Sequence, residues 1–338
     1  MSQKALVIPS KQAPFVLTTR PIPKPGQGQI LIKVESVTLN PIDQRIQSYG
    51  LIVEDYPAVI GYGIAGVVTE LGEGVIKFSV GDKVATSGSA GKSDFCGYQQ
   101  FALGDVRFTA KIPLNLSFDK AATLGVSLET PAIGLFGPYN AKLTSLIEHP
   151  GAHKGQTILI LGGSASLGQY GKFILLSCPW YSNIITTALP THEILLRTLG
   201  ATHVVDHRLP AEEIISMIKS TTANNSIKIV YDTISDAHTQ AVGWGVLAEG
   251  GHMVVTPKGD AETRTFAWTY GSPHTPPHYE FGEKLWDAVY GWFESGTLVP
   301  NKVELLPGGL EGIVAGLERL RDNKVSGVKL AVHPQETA

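Results

Sequence analysis

The stretch Thr157-Ile-Leu-Ile-Leu-Gly162-Gly163-Ser164-Ala165-Ser166-Leu167-Gly168, followed by Gln-Tyr-Gly171-Lys172-Phe-Ile-Leu-Leu, predicts a buried strand, a turn of small residues and a helix without interruption. Residues 157–161 are β-branched or leucine and barely alternate, as expected of a central parallel strand covered on both faces. Gly162 and Gly163 let the backbone turn sharply and approach a ligand, and Gly168 lets the helix lie close to the strand. The free N–H groups at the helix start then face a pyrophosphate. Every residue from Gly162 to Gly168 (Gly162, Gly163, Ser164, Ala165, Ser166, Leu167, Gly168) is therefore a candidate cofactor contact. The G-x-G-x-x-G fingerprint is met as Gly163-Ser-Ala165-Ser-Leu-Gly168, with alanine in the middle place. Taken alone, that pattern also fits an ordinary strand-to-helix turn.

The next hundred residues decide between the two readings. Asn183 to Ala188 is a second strand, His192 to Leu199 a helix closed by Gly200, and His203 to Asp206 a third strand. Pro210 to Lys219 is an amphipathic helix with Ile214, Ile215 and Ile218 on one side. Ile227 to Ile234 makes a fourth strand, Ala237 to Leu247 a helix, and Gly251 to Thr256 a fifth strand. Strands alternating with helices at this interval imply right-handed βαβ crossovers and an α/β fold with a doubly wound parallel sheet.

A chain of 338 residues suggests about two domains, and 43% hydrophobic residues suffice for sizeable cores. With 27 basic and 30 acidic residues the formal charge is −3, and no basic run marks a nucleic-acid or anionic membrane surface. The apolar runs fall far short of the roughly 18 residues that span a bilayer. Met1 to Ser10 lacks a signal-peptide pattern, so a soluble, cytoplasmic protein is expected. Two cysteines are too few for a disulfide framework or a four-cysteine zinc site. Cys178 reads as a packing residue and Cys96 as an incidental thiol.

Residues 4–8 and Gln29 to Val37 look like strands joined by the turn-rich Arg20-Pro-Ile-Pro-Lys-Pro-Gly-Gln-Gly28. Asn40-Pro-Ile-Asp43-Gln-Arg45, Gly61-Tyr62-Gly63-Ile-Ala-Gly66-Val and Phe78-Ser-Val-Gly-Asp82-Lys-Val84 come next. Repeated glycines among short Val/Ile runs suggest a compact barrel-like β domain.

In that order, the N-P-x-D turn, the G-x-x-x-A-G-x-V strand, the F-x-x-G-D-x-V turn, the glycine loop and the ending Gly308 to Leu330 resemble a medium-chain dehydrogenase/reductase. The likeness is to the zinc-independent quinone oxidoreductase and enoyl reductase branch, above all to fungal trans-acting enoyl reductases that work beside polyketide synthases. It implies a Rossmann domain binding NADP at residues 121–274. It also implies a discontinuous GroES-like β-barrel substrate domain from residues 1–120 and 275–338, with the active site in the cleft between the two. It further implies a small-molecule or acyl-thioester substrate, a polyketide synthase partner, and a monomer or homodimer.

Zinc-dependent relatives carry a cysteine ligand where this chain has the Asn40 to Asp43 turn, and a G-H-E step where it has Gly61-Tyr62-Gly63. Their cysteine-rich lobe is replaced by Ser87 to Tyr98. No metal is expected, since a catalytic zinc takes three N, S or O ligands and no HExxH motif supplies them. His203 with His207 and His274 with His278 have four-residue spacing, but that spacing joins ligands only on a helix. They read as surface or loop histidines.

The chemistry to expect is hydride delivery from a reduced nicotinamide to an activated C=C bond, whose developing charge falls on a carbonyl oxygen. By the same resemblance, Arg45 stands where the fungal enzymes have lysine, Tyr49 lies near a proton-donating tyrosine, and Asn40 and Thr130 match positions near the nicotinamide. The plainer readings are a solvated charge for Arg45, a packing aromatic for Tyr49, and turn and helix capping for Asn40 and Thr130. Tyr62, Trp268 and Tyr270 are candidate pocket residues, the last two in an aromatic, proline-rich segment that also reads as a packed linker. Relatives usually show G-x-D-x-A-G at Gly61 to Gly66. Glycine at position 63 removes that carboxylate, so that a larger or more apolar substrate is expected to fit or reductase activity to be altered.

An NAD site places Asp or Glu at the tip of the second strand to hold the ribose diol. Here the strand runs into Thr187-Ala188-Leu189-Pro190-Thr191-His192, with no carboxylate at the tip and Glu193 just beyond. This permits NADPH, which the resemblance favours, with Lys172, His192, His207 and Arg208 as candidate phosphate partners and Thr187 and Thr191 along the same edge. Residues 279–294 predict a helix with Phe281, Leu285, Ala288, Val289 and Trp292 toward the core. An NADPH-dependent enoyl reductase is the leading reading. A quinone or alkenal reductase, and a nucleotide-binding protein with a structural or redox-neutral cyclising role, stand beside it.

Overall fold

The computed structural model describes residues 1–137, 143, 155–176, 181–223, 227–256, 267–268 and 271–338, with 172–176, 181–182 and 267–268 described by backbone alone. In chain order its elements are β1 (Ser2–Ile8), β2 (Val16–Pro21), β3 (Gln29–Thr38), α1 (Pro41–Tyr49), β4 (Ala58–Val59), β5 (Gly63–Leu71), β6 (Lys83–Ser87), β7 (Phe101–Asp105) and β8 (Thr109–Lys111). Then come α2 (Phe118–Ala122), α3 (Gly125–Phe136), β9 (Gln156–Leu161), α4 (Ser166–Leu176), β10 (Tyr181–Ala188), α5 (Glu193–Thr198), β11 (His203–Asp206), α6 (Ala211–Thr221), β12 (Ile227–Asp232) and α7 (Ala237–Val246). The series closes with β13 (Leu247–Val255), β14 (Ala267–Trp268), α8 (Tyr279–Glu294), β15 (Lys302–Leu305), α9 (Gly312–Arg321) and β16 (Val328–Val332). They fall into two compact units, one of Met1–Val126, Trp286–Gly296 and Pro300–Ala338, the other of Ser127–Leu285 and Thr297–Val299.

The first unit is built around β3, whose Ile30, Leu31, Ile32, Val34 and Val37 are all buried. It pairs antiparallel with β5 and β7 and carries the sheet β15-β16-β3-β5-β6-β8. Two register shifts against β5, at Leu31/Ile32 and Val34/Ser36, mark irregularities of the kind that bend a sheet. A second sheet, β2-β1-β4, shares a core with α1 and α9 through Ile46, Ile313 and Leu317. Pro41 opens α1 with its φ already helical, and Gly50, in the left-handed region at φ 62, ends it.

The second unit holds one parallel sheet in the order β11-β10-β9-β12-β13-β14. The strand earliest in sequence, β9, lies between β10 and β12, so the winding reverses there. Ligands of doubly wound sheets bind at the carboxyl ends of the strands flanking such a reversal. β9 and β12 are covered on both faces, with Ile158, Leu159, Ile160 and Leu161 and then Val230 and Tyr231 buried.

Several expected boundaries move for identifiable reasons. β12 ends at Asp232 rather than Ile234, because its carboxylate accepts from the N–H groups of Ile234 and Ser235 and turns the chain. β13 begins at Leu247 rather than Gly251. α8 spans the expected residues, but its fully buried side chains are Leu285, Trp286 and Val289, with Phe281, Ala288 and Trp292 half-buried. Leu285 and Val289 are thus buried as expected, and Trp286 joins them.

Cys96 is fully buried, its Sγ donating to the carbonyls of Ser89 and Lys92 at 3.4 and 3.5 Å. Burial pushes its thiol far above the ordinary range, so it is a packing residue rather than an incidental thiol. Cys178 lies outside the described residues. His278 is only 7% exposed and sits in a tight turn, with Nδ1 at 3.0 Å from Thr275 Oγ1 and 3.1 Å from the Ser272 carbonyl. It is an interior turn residue rather than a surface one. Among the described residues no helix is long and apolar enough to cross a membrane.

Candidate active site

β9 runs out at Leu161, and Gly162 turns the chain at φ 81. The turn is pinned to β10: Gly162 N–H donates to Thr187 Oγ1 at 3.1 Å and Gly163 N–H to the Thr187 carbonyl at 2.9 Å. A Cβ on Gly163 would lie 1.9 Å from Thr186 Oγ1, and one on Gly168 would lie 2.3 Å from the Gly162 carbonyl oxygen. Both positions therefore exclude side chains, one because the turn lies flat on β10 and the other because α4 lies on the turn. Just past the end of β12, the Thr233 hydroxyl donates to the carbonyls of Leu161 and Gly162 at 2.8 and 3.1 Å. Gln169 donates to the Ser164 carbonyl and Ser166 Oγ to Ser127 Oγ, both at 2.9 Å. The N-terminal N–H groups of α4 open at the carboxyl edge of the sheet beside this cradle of small residues. It fits the diphosphate of a dinucleotide.

Thr233 was missed in the sequence because it reads there as the tail of a strand. The polar run Asp232-Thr-Ile-Ser-Asp236 after an apolar strand was the available signal. Asp232 holds that loop, accepting from Thr239 Oγ1 at 2.8 Å as well as from the two N–H groups already named. Burial raises its pKa.

Thr187 is buried in the turn. Thr191 is exposed and His192 half-buried in the short helical turn Pro190–His192. Glu193 is bound to Arg197 at 2.8 Å. The parallel register sets Ala188, the last residue of β10, beside Asp206, the last of β11. A carboxylate therefore stands one strand from the tip, where reading β10 alone gave none. Arg208 grips it, Nη2 to Oδ2 at 2.6 Å and Nε to Oδ1 at 3.0 Å, and these hydrogen bonds hold its pKa down at about 2. His207 and Arg208 are exposed, and the His207 N–H donates to the Ala188 carbonyl. Lys172 is described by backbone alone.

In the first unit, Asn40 precedes α1 and belongs to a buried polar cluster. Lys329 Nζ donates to Asn40 Oδ1 at 2.6 Å, and Asp43 Oδ2 accepts from the Asn40 N–H at 2.8 Å and from Tyr98 Oη at 2.6 Å. Asn40, Asp43, Tyr98 and Lys329 are 3, 0, 0 and 5% exposed, so this polar group has little water to solvate it. Burial raises Asp43 to about 6, against the lowering effect of Tyr98, Asn40 and Lys329. Burial lowers Lys329 to about 8, opposed by Asp43. Asn40 joins the two, its side-chain oxygen facing Lys329 and its main-chain N–H facing Asp43.

Arg45 lies half-buried on α1, while Tyr49, its last residue, is 63% exposed. Tyr62 is buried at 4%. Thr130 is 6% exposed in α3 and abuts Gly271, where a Cβ would sit 2.5 Å from its Oγ1. Trp268 is described by backbone in β14, and Tyr270 lies outside the described residues. Gly63 does not open the expected room, because Thr38 and the Ala122 carbonyl fill the space beside it. Among the described residues no group of three or more His, Cys, Asp or Glu is placed to hold a metal ion.

Residues 26–129 match the alcohol dehydrogenase GroES-like domain family. A trans-enoyl reductase of Alternaria alternata is 30% identical over 355 residues, 98% of this chain and 98% of its own. An alcohol dehydrogenase superfamily protein from Novosphingobium aromaticivorans superposes with a TM-score of 0.79 at 25% identity, covering 98% of this chain and 99% of its own. The CurK enoyl reductase shares the fold, with a TM-score of 0.77 at 20% identity over 98% of this chain and 99% of its own. The chain belongs to the medium-chain dehydrogenase/reductase family, on the branch of the fungal trans-enoyl reductases.

Proposed function

We propose that the protein is an NADPH-dependent enoyl reductase that works without a metal ion on a conjugated carbonyl compound, an acyl thioester or related polyketide intermediate, beside a polyketide synthase. The observation that carries this reading is the turn Gly162 to Gly168, set where the sheet reverses and closed to any side chain at Gly163 and Gly168. Reduced nicotinamide, when bound, supplies the hydride. The residues from Gly162 to Gly168 would hold its diphosphate, and Arg208 would meet the 2′-phosphate. Asn40 and Thr130 orient the ring and the substrate carbonyl by hydrogen bonds, and Arg45 favours the negative charge that grows on the carbonyl oxygen. Hydride adds to the β-carbon, the C=C electron pair moves toward that oxygen, and Tyr49 gives a proton to the α-carbon. Being 63% exposed, Tyr49 regains its proton from water. The metal-free reading rests on the sequence, where Asn40 to Asp43 and Gly61-Tyr62-Gly63 stand at the places of the zinc ligands of zinc-dependent relatives.

The test is NADPH oxidation by the purified protein with enoyl thioesters, alkenals and small quinones, after exhaustive chelation. Chelator-resistant turnover of the thioesters is expected. Turnover of quinones alone would make the protein a quinone reductase, and failure to bind either nicotinamide dinucleotide would end the proposal.

A further inference from the structure

The cluster at the head of α1 contains a residue that neither the motif reading nor the family match assigns. Lys329 comes from β16, 289 residues along the chain from Asn40, and its ammonium is brought to 2.6 Å from the Asn40 carboxamide in a buried setting. An ammonium has three donors and no acceptor, so the Asn40 atom facing it must be the amide oxygen. That contact fixes which way the carboxamide lies, a choice that an isolated asparagine leaves open. The NH2 end is held loosely: its neighbours, the Thr38 carbonyl and Asp43 Oδ2, both lie at 3.4 Å, at the outer limit of a hydrogen bond. Asp43 is itself secured by Tyr98 and by the Asn40 main chain. The amide thus has a committed acceptor and an under-used donor.

We propose that Lys329 is a positioning residue for the reduction, clamping the Asn40 carboxamide by its oxygen so that Asn40 offers N–H, and not C=O, to an oxygen of the bound reactants. This rests on the reading that Asn40 meets the nicotinamide or the substrate, and it says with which atom. The oxygen so recognised is a carbonyl, that of a carboxamide or of a conjugated acyl group.

The experiment compares Asn40→Ala, Lys329→Met, their double variant and Asn40→Asp by kcat and KM with NADPH and an enoyl thioester, and by fluorescence titration of NADPH. Each of the first two should lower kcat/KM by about tenfold, and the double variant should be no worse than Asn40→Ala, because Lys329 acts through Asn40. Losses that multiply to about a hundredfold would show an independent role and overturn the proposal. So would a Lys329→Met enzyme with unchanged kcat/KM beside an impaired Asn40→Ala. If Asn40→Ala itself turns over and binds NADPH as the parent does, the reading of Asn40 fails, and the clamp with it. Asn40→Asp covers the case in which Lys329→Met does not fold. Its carboxylate still accepts from Lys329 but has no N–H to offer, so it should bind and turn over no better than Asn40→Ala, and parental activity there would refute the clamp.

Discussion

The Thr38 hydroxyl stands where a side chain at position 63 would have to go. A Cβ on Gly63 would lie 2.3 Å from Thr38 Oγ1 and 2.4 Å from the carbonyl oxygen of Ala122, to which that hydroxyl donates at 2.9 Å. Glycine at position 63 therefore leaves no open space beside it, because Thr38 of β3 and the Ala122 carbonyl of α2 fill it. Gly63→Ala should destabilise the protein by roughly 3 kcal/mol, the upper part of the range for an overpacked interior. Adding Thr38→Ala should recover only part of this, since a main-chain carbonyl remains in the way. Urea midpoints of the three variants check it, and a Gly63→Ala protein as stable as the parent would contradict the packing described.

Gly168 makes a comparable demand on the nucleotide turn. Its missing Cβ would meet the Gly162 carbonyl oxygen at 2.3 Å and Gly163 Cα at 2.8 Å, all main chain, so relief requires the turn itself to move. Gly168→Ala should weaken NADPH binding by at least about tenfold, or 1.4 kcal/mol. Fluorescence titration measures this directly, and unchanged affinity would mean that the cradle does not hold the diphosphate.

The difference between what was legible in the chain and what was not comes from range. The β9, turn and α4 succession could be read because a buried strand, a glycine-dependent turn and a helix start each leave their mark within a few residues. Asn40 and Asp43 were visible for the same reason, as neighbours at a proline-marked helix start. Lys329 and Tyr98 were not, since each reaches α1 across a long stretch of chain and no local pattern encodes that meeting. Tyr98 lies in a stretch whose local signal is only that it replaces a cysteine-rich lobe, and Lys329 in an ending that reads only as a landmark. The carboxylate beside the β10 tip escaped likewise, because Asp206 comes next to Ala188 only once β11 is laid parallel to β10.

That pairing bears on cofactor choice. Asp206 alone would repel a 2′-phosphate, but Arg208 holds both its oxygens and stays 63% exposed at its side chain. Arg208→Ala should therefore hurt NADPH in two ways, by removing a cation and by baring the carboxylate. A rise of roughly tenfold in KM for NADPH is expected, near the 1.5 kcal/mol at the lower end of charged hydrogen bonds, with little change for NADH. Raising the salt concentration should shrink the difference. Equal effects on the two cofactors would remove Arg208 from the phosphate site.

Asp43 yields a prediction whose sign runs against ordinary acid denaturation. Burial outweighs the help of Tyr98, Asn40 and Lys329, so the folded carboxyl keeps its proton up to about pH 6, against an ordinary 3.8. Between those values the folded protein holds a proton that the unfolded chain has released, so this group costs stability as pH rises through the window and costs no more above it. At about 1.4 kcal/mol per pH unit the change is roughly 3 kcal/mol. The Asp43→Asn variant keeps the shape and an acceptor oxygen for Tyr98 but cannot titrate at that position. Other carboxylates, Asp82 and Asp206 among them, have lowered pKa values and lose stability toward acid in both proteins, so the comparison cancels them. The parent should therefore lose ground to Asp43→Asn between pH 4 and pH 6, with the steepest change below pH 6, a range below that in which Lys329, held up by the Asp43 charge in the parent, begins to lose its own proton. Urea unfolding of both proteins across that range measures the gap, and a gap that does not change with pH would show that Asp43 is ionised in the fold as readily as in water.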